Sequence, residues 1–448
     1  MSVLDQGSPL TLETLRRDLD LATAGKEIYA RIETLYPICR SITGNGVRET
    51  LRIIGGEIEL QTREVPTGTR IFDWTVPQEW NIRDAYVRDP NGRRIVDFAR
   101  SNLHVLNYSA PVEARLRFSE LQPHLFSIPE HPDWIPYKTS YYSRNWGFCI
   151  TERQRQALAA DPNIEYDVRI DSTIEDGHLT FGECFLPGRE TGEVLFSCHV
   201  CHPSLCNDNL SGVSVAVSLA RLLAGVPRRY SYRFLFAPGT VGAITWLALN
   251  EERAARIQHG LVLACIGDRG NMTYKRSRRG HTEIDRAVEH VLARSGQPHE
   301  LIDFSPYGYD ERQYCSPGFN LAVGVLSRTP HGRFPEYHTS ADNLELVAPE
   351  PLADSLSKIL AVVEVLEGNA RYVNTNPKCE PQLGKRGLYA SMGGHGDARA
   401  KEEAVLWVLN LSDGSHTLLD IAEQSRLPFA SIREAASTLQ RHQLLSEC

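Results

Sequence analysis

Residues 194–213 read VLFSCHVCHPSLCNDNLSGV, and this stretch decides the fold class because it joins a buried strand to a helix through a polar turn. The apolar run before His199 is typical of a strand that is covered on both faces. The segment after Ser211 has the pattern of a buried helix that stops at Gly225. His199 and Asp208 therefore stand between a strand end and a helix start, where α/β folds place their sites.

Strand-like and helix-like segments alternate along the chain that follows. The strand-like runs are YRFLFA, GLVLACIG and NLAVGVLS, and the helix-like ones are VGAITWLAL and the closing PLADSLSKILAVVEVLEG. Residues 10–36 add an N-terminal helix pattern that ends at Pro37. This alternation predicts an α/β fold with a mixed, mostly parallel sheet flanked by helices.

The composition and residue pattern change twice along the chain, which predicts three domains. Four of the six tryptophans fall between Trp74 and Trp146, among many prolines and short alternating runs, so residues 69–185 are expected to form an inserted, small β-rich domain. A Gly-rich loop, SMGGHGD, precedes three helical segments that resemble a winged-helix module. We expect a discontinuous α/β domain at 1–68 and 186–370, and a linker with a winged-helix-like domain at 371–448.

Composition narrows the class of protein. The 448 residues carry a net charge of −8, and residues 401–448 hold four basic against seven acidic side chains, which disfavours a nucleic-acid partner. We expect the last module to support a homo-oligomer or to form a lid instead. No stretch has the length and apolarity of a membrane span, and the first residues lack the apolar core of a signal peptide. The expectation is a cytoplasmic protein with no membrane partner, whose ten cysteines are reduced.

Imidazole and carboxylate groups recur at strand ends in the order His, Asp, Asp, His. After His199 and Asp208, Asp268 follows the buried run LVLACIG, and His338 lies in the polar loop PEYHTSADN. These donor types suit a zinc ion. Two alternatives stay open: a structural zinc site made by the nearby cysteines and a histidine, or histidines that are merely hydrogen-bonded in a loop. The cysteines concerned are Cys198, Cys201 and Cys206.

Several longer motifs carry a family resemblance. HVCHPSLCNDNLSG, APGTVGAITWL, IGDRG, GYDERQYCSPGFNL and FPEYHTSADNLELV resemble the bacterial aminopeptidase-like proteins of the zinc-dependent exopeptidase superfamily. FDWTVPQEWNIRDAYV and YKTSYYSRNWGFC resemble their inserted β domain, and EPQLGKRGLY resembles the approach to their C-terminal winged-helix module. The resemblance implies the fold of leucyl aminopeptidases and one or two zinc ions.

Carried over by position, the resemblance makes His199 a ligand of one metal, Asp208 the bridging carboxylate, and Asp268 and His338 ligands of the other. Two departures stand out. Cys201 replaces the aspartate that orients the first histidine, and Ala237-Pro238-Gly239-Thr240 holds neither of the two glutamates that related enzymes carry there. Asp208, Asp268 and His338 still supply three ligands with an open position, as in catalytic zinc sites. His202 is a further candidate, either as a ligand or as a supporting group.

The missing glutamate leaves the general base to be found elsewhere. Glu311, in YGYDERQ, is our first candidate, and Glu336, close to His338, is the second. TYKRSRRG is either a solvated turn or a clamp for a substrate carboxylate. The cations of this clamp are Lys275, Arg276, Arg278 and Arg279.

The sequence therefore predicts a zinc-dependent hydrolase of an amide or peptide bond, aminopeptidase-like, in which metal-bound water attacks the carbonyl of a small peptide or aminoacyl amide. The alternative is a catalytically retired peptidase fold that acts as a metal-containing binding or scaffold protein. Gly239 supports this alternative because it stands where a catalytic carboxylate is expected.

Overall fold

The structure is a computed structural model that describes residues 11–388 and 396–448. Its helices are α1 Leu12–Asp18, α2 Leu21–Leu35, α3 Asn45–Gly55, α4 Phe118–Leu121, α5 Glu152–Ala159, α6 Gly212–Ala224, α7 Val241–Leu249, α8 Glu251–Ala254, α9 Glu283–Arg294, α10 Glu311–Tyr314, α11 Pro349–Gly368, α12 Gly396–Leu411, α13 Leu418–Ser425 and α14 Phe429–Arg441.

The strands are β1 Gln61–Pro66, β2 Arg70–Ile71, β3 Trp74–Thr75, β4 Glu79–Arg88, β5 Arg94–Asp97, β6 Val112–Arg117, β7 Leu125–Phe126, β8 Phe148–Cys149, β9 Glu165–Glu175, β10 His178–Leu186, β11 Glu193–His199, β12 Ser231–Ala237, β13 Ile257–Leu263, β14 Met272–Lys275, β15 His299–Ile302, β16 Val323–Ser327, β17 Arg371–Asn374, β18 Asp413–Thr417 and β19 Leu445–Glu447.

The main sheet has eight strands in the order β1-β10-β12-β11-β13-β16-β14-β15. Its four central strands, β12, β11, β13 and β16, are parallel to their neighbours within this group. The pairs β1–β10, β10–β12 and β14–β16 are antiparallel, and β15 pairs parallel with β14 at the edge. All residues of β11, β12 and β16 are buried. The predicted mixed, mostly parallel sheet is confirmed, and the carboxyl ends of its central strands meet at one edge, where a site is expected.

The N-terminal helix pattern resolves into two helices, α1 and α2, and the single helix predicted over residues 10–36 is wrong. Asp20 separates them because its side chain accepts hydrogen bonds from the backbone N–H groups of Ala22 and Thr23, at 3.0 and 3.2 Å. This is the N-cap arrangement that starts a new helix. The spacing of apolar residues in the sequence continues across this break, so the sequence pattern predicted a single helix.

A second sheet lies between β1 and β10 in the chain. It has four antiparallel strands in the order β5-β4-β9-β6, and Trp80 of β4 is buried and donates from Nε1 to the carbonyl of Ser109 at 2.9 Å. The chain therefore leaves the main sheet after β1 and returns to it with β10. The aromatic residues that marked the insertion in the sequence supply part of its core.

The chain forms two compact units. The first runs to Asp285 and includes Pro298–Ser357, and the second comprises Arg286–Gln297 and Lys358–Cys448. In the second unit, α12, α13 and α14 accompany a three-stranded sheet of order β18-β17-β19. The last of the three helical segments in the sequence, FASIREAASTLQRHQLL at 429–445, is helical only as far as Arg441, and the chain then turns into β19, which pairs with β17.

Residues 391–395 of the expected Gly-rich loop lie outside the described residues. Across the described ranges, each helix is too short or too polar to cross a bilayer.

Candidate metal centre

His199 and Asp208 meet at the carboxyl end of the central strand. His199 is the last residue of β11, and its Nε2 lies 2.7 Å from Oδ1 of Asp208. Asp208 is fully buried in the turn Cys206–Ser211, directly before α6. Asp342 holds this turn, because its carboxylate accepts the backbone N–H groups of Asn207 and Asp208 at 2.6 and 2.9 Å. The Asp208 carboxylate is thus fixed between the strand end and the helix.

The second oxygen of Asp208 faces two more histidines. Oδ2 lies 3.1 Å from Nε2 of His338 and 3.7 Å from Nε2 of His202, and these two nitrogens are 3.2 Å apart. Zinc binds imidazole and carboxylate donors at 2.0–2.2 Å, so tetrahedral ligands on one ion stand roughly 3.3 Å from each other. The three donor atoms therefore have the spacing of ligands on a single ion, and they leave room for a further ligand.

The charge states also suit a cation. Burial lowers the pKa of His202 well below its usual value, so this imidazole is neutral at neutral pH. Burial alone would raise the pKa of Asp208, but its attraction to His202 and His199 and its hydrogen bonds hold that pKa well below the usual range. Neutral imidazoles and an ionised carboxylate are the forms that bind metal.

His338 adopts a left-handed backbone conformation that residues other than glycine rarely adopt, with φ at 57°. The inserted segment supports it, because the Tyr137 backbone N–H donates to the His338 carbonyl at 2.7 Å. The Tyr137 ring also lies 5.0 Å from the His338 ring and 5.1 Å from the His202 ring. Strain of this kind is concentrated at functional sites, where the surrounding structure maintains it.

The structure does not bring Asp268 to this cluster. Its carboxylate accepts hydrogen bonds from Asn207 Nδ2 at 2.8 Å, from Thr329 Oγ1 at 2.7 Å and from the Gly270 backbone N–H at 2.6 Å. β13 ends at Leu263, and the chain continues beyond the sheet edge before Asp268 is reached. Among the described candidates, His202 rather than Asp268 lies beside Asp208 and His338.

The cysteines do not form the alternative zinc knot. Within the described residues, the group of close metal-binding side chains on the central sheet edge is His199, His202 and Asp208, with no cysteine in it. All three cysteines of this segment are buried, and burial raises the pKa of the Cys198 and Cys201 thiols, the latter to about 12.

A carboxylate that the sequence did not single out faces the first histidine. Asp310 precedes α10, is buried, and neither of its oxygens has a hydrogen-bond partner among the described residues. A Cβ placed on Gly239 would lie 3.1 Å from His199 Cβ and 3.8 Å from Asp310 Oδ1. Burial, reinforced by Glu311, raises the pKa of Asp310 to about 7 although His199 opposes the shift. Asp310 thus borders the space that a side chain at position 239 would occupy.

The structure shows which contacts the two predicted bases, Glu311 and Glu336, make. Glu311 is fully buried, and its Oε1 accepts from Nζ of Lys275 at 2.8 Å. Glu336 is half-buried in the His338 loop, where its backbone carbonyl accepts from the Thr339 hydroxyl at 2.8 Å. Neither carboxylate forms a hydrogen bond to His199, His202, Asp208 or His338 in the described structure, so their predicted role remains untested.

A pocket of about 200 Å³ lies beside the centre. Tyr309 lines it and also stacks against the His199 ring, with the ring centroids 5.3 Å apart. Lys275 and Glu311 form one wall. Of the four cations predicted as a clamp, only Lys275 lines this pocket; Arg276 binds Asp303, Arg278 binds Asn320, and Arg279 is exposed.

Comparison with known proteins shows the family to which the chain belongs. A family model described as a domain of unknown function, DUF4910, matches residues 29–369. The chain belongs to the DUF4910 family. A winged helix-turn-helix model matches residues 370–447, which confirms the C-terminal module of this DUF4910 protein.

A Clostridium acetobutylicum protein is 52% identical over 421 residues, covering 94% of this chain and 96% of that protein. It is named provisionally as a polysaccharide biosynthesis protein with an aminopeptidase-like domain. A crystal structure of a provisionally named peptidase from the same organism is 49% identical, with a TM-score of 0.92, and covers 98% of this chain and all of that one.

BSAP, a zinc aminopeptidase from Bacillus subtilis, is 14% identical with a TM-score of 0.55, over 76% of this chain and 95% of that one. The likeness shows a shared fold. The expected resemblance to zinc aminopeptidases with a C-terminal winged-helix module is confirmed, and this DUF4910 protein has an aminopeptidase-like fold with a candidate His-Asp metal site.

Proposed function

We propose that this protein is a zinc-dependent hydrolase of an amide bond, with the ion held by His202, Asp208 and His338. The observation that carries the proposal is the mutual spacing of their donor atoms, 3.1 to 3.7 Å, around one point. A zinc ion in this triad supplies Lewis acidity toward a carbonyl oxygen. His199, hydrogen-bonded to the other oxygen of Asp208 at 2.7 Å, orients the shared carboxylate.

Asp310 is the group that we propose to accept a proton during hydrolysis, in place of Glu311 or Glu336. Its support is that both oxygens are buried without a hydrogen-bond partner among the described residues, whereas Glu311 is paired with Lys275. A base with a pKa near 7 is matched to neutral pH, and burial raises the pKa of Asp310 to about 7. The pocket beside Tyr309 would hold the part of the substrate next to the amide.

The substrate class follows from the fold and the pocket. We propose a small peptide or aminoacyl amide. The 52% identical relative is named for polysaccharide biosynthesis, so we add amides that contain a sugar to the substrates to screen. Lys275 and Glu311 in the pocket wall favour polar over aliphatic substituents, because a buried ion pair gains little from an apolar neighbour.

The test combines metal content with turnover. Wild-type protein purified without added metal is expected to carry about one zinc per chain and to hydrolyse a member of a panel of aminoacyl p-nitroanilides and N-acyl hexosamines. Asp208→Ala and His338→Ala should lose both zinc and turnover. His259→Gln, which replaces a buried histidine of β13 outside the cluster, is the matched control and should retain both.

The retired peptidase fold is the second candidate, and Gly239 favours it because no side chain extends from this position toward His199. Under that alternative, zinc is bound and lost in the same variants, but no panel member is hydrolysed at any pH between 6 and 9. Absence of zinc from the wild-type protein after zinc is supplied would overturn the hydrolase proposal itself.

A further inference from the structure

His202 has a sulfur neighbour on the side of the ring that faces away from the metal centre. Its Nε2 is directed at His338 and Asp208, and its Nδ1 lies 3.2 Å from Sγ of Cys201. Cys201 is buried, with 1% of its surface exposed, so this contact is shielded from competing water. Both ring nitrogens of His202 therefore have a defined neighbour.

A thiol sulfur carries lone pairs that accept a hydrogen bond as well as a proton that it can donate, and Sγ of Cys201 lies within hydrogen-bonding distance of Nδ1 of His202. A neutral imidazole carries one proton, on either Nδ1 or Nε2. A proton on Nδ1 can be donated to the accepting sulfur and leaves a lone pair on Nε2. A proton on Nε2 would occupy the position that points at Asp208 and His338.

We propose that Cys201 is a positioning residue, which holds His202 in the Nδ1–H tautomer and in the ring orientation that directs the Nε2 lone pair at the metal. This inference rests on the proposed zinc site. In metalloproteins a carboxylate or a carbonyl usually orients a ligand histidine in this way. Here the orienting atom is a sulfur, and it acts on His202, which lies beside Asp208 and His338.

Cys201 acts on the metal through His202 and is not itself a ligand. Its sulfur is absent from the group of close metal-binding atoms formed by His199, His202 and Asp208. The sulfur contacts the nitrogen on the far side of the His202 ring. Removal of the sulfur should therefore weaken zinc binding without abolishing it.

The first experiment measures zinc affinity by competition with a chromophoric chelator. Cys201→Ala is expected to bind zinc 10- to 100-fold more weakly than the wild type, which is the usual effect of removing an orienting partner. Cys201→Ser keeps a hydrogen-bond acceptor and should recover part of the loss. Cys198→Ala removes another buried thiol, from β11 just before the segment that holds Cys201, and should bind zinc as the wild type does. Equal affinities of the Cys201→Ala and Cys198→Ala variants would overturn the proposal.

The second experiment reads the tautomer directly, without metal and without turnover. In protein labelled with ¹⁵N in histidine, the His202 ring of the chelator-treated wild type should show the Nδ1–H form. Cys201→Ala should shift the ring toward the Nε2–H form, and Cys201→Ser should restore the Nδ1–H form. A wild-type Nε2–H ring would overturn the role of Cys201 even if zinc binds, whereas an Nδ1–H ring in a protein that binds no zinc would confirm the contact and refute the metal site.

Discussion

Asp310→Asn should stabilise the metal-free protein at pH 8, and this outcome follows from the burial of the carboxylate. Burial raises the pKa of Asp310 to about 7, whereas an aspartate in the unfolded chain has its ordinary pKa of 3.8. Each unit of difference corresponds to 1.36 kcal/mol, so ionised Asp310 costs the folded state about 4 kcal/mol above pH 7. Asparagine has the same shape and never ionises, so it avoids this cost.

The sign of the pH dependence is fixed by which state holds the proton. Between about pH 4 and pH 7 the folded protein keeps the Asp310 proton and the unfolded chain releases it. The wild type therefore loses stability through this window as the pH rises, and the loss is complete above pH 7. The advantage of Asp310→Asn should be near zero at pH 4 and should grow to about 4 kcal/mol at pH 8.

Urea unfolding of chelator-treated protein at pH 5 and pH 8 measures the effect. Asp133→Asn removes a carboxylate whose side chain is 65% exposed, and it should change the free energy of unfolding little at either pH. The reasoning is refuted if Asp310→Asn is less stable than the wild type at pH 8. It is equally refuted if the advantage of the variant is the same at both pH values.

Two further predictions test the site and the sheet. Asp268→Ala should keep its zinc while losing about 2 kcal/mol of stability through its broken loop hydrogen bonds, whereas His202→Ala should lose zinc; metal analysis and urea unfolding of both variants decide this. Arg233→Met should lower the free energy of unfolding by about 3–5 kcal/mol, measured in urea, because Arg233 is buried and lies 2.7 Å from each of Glu183 and Glu193, which would be left as unpaired buried charges.

The main sheet could be predicted from the sequence because its central strands are buried on both faces and the helices that connect them end at clear signals. β11, β12, β13 and β16 all coincide with apolar runs. His199, Asp208 and His338 could be found because His199 ends such a run and the other two lie in the polar segments that follow β11 and β16. The carboxyl ends of parallel strands converge.

Whether Asp268, Asp310 or Glu311 reaches the site depends on tertiary contacts that no local sequence pattern records. Asp268 also follows an apolar run, but the backbone leaves β13 at Leu263 and passes Cys265 with φ at 54° before Asp268 turns to Thr329. Asp310 and Glu311 are adjacent acidic residues. Asp310 lies just before α10 and Glu311 is its first residue, and in the structure Glu311 accepts a hydrogen bond from Lys275 whereas Asp310 does not. Their difference is one of tertiary packing.

The stability cost of Asp310 is itself an argument about function. A chain selected only for its fold would place an asparagine or an apolar side chain beside Gly239, and would avoid about 4 kcal/mol of instability at neutral pH. Groups that are held in an unfavourable ionisation state cluster at sites that use them. The stability of Asp310→Asn at pH 8 therefore bears on the site before any substrate is known: a large gain means that the metal-free chain maintains a costly carboxylate beside Gly239, as expected of a group that is used when the site is occupied.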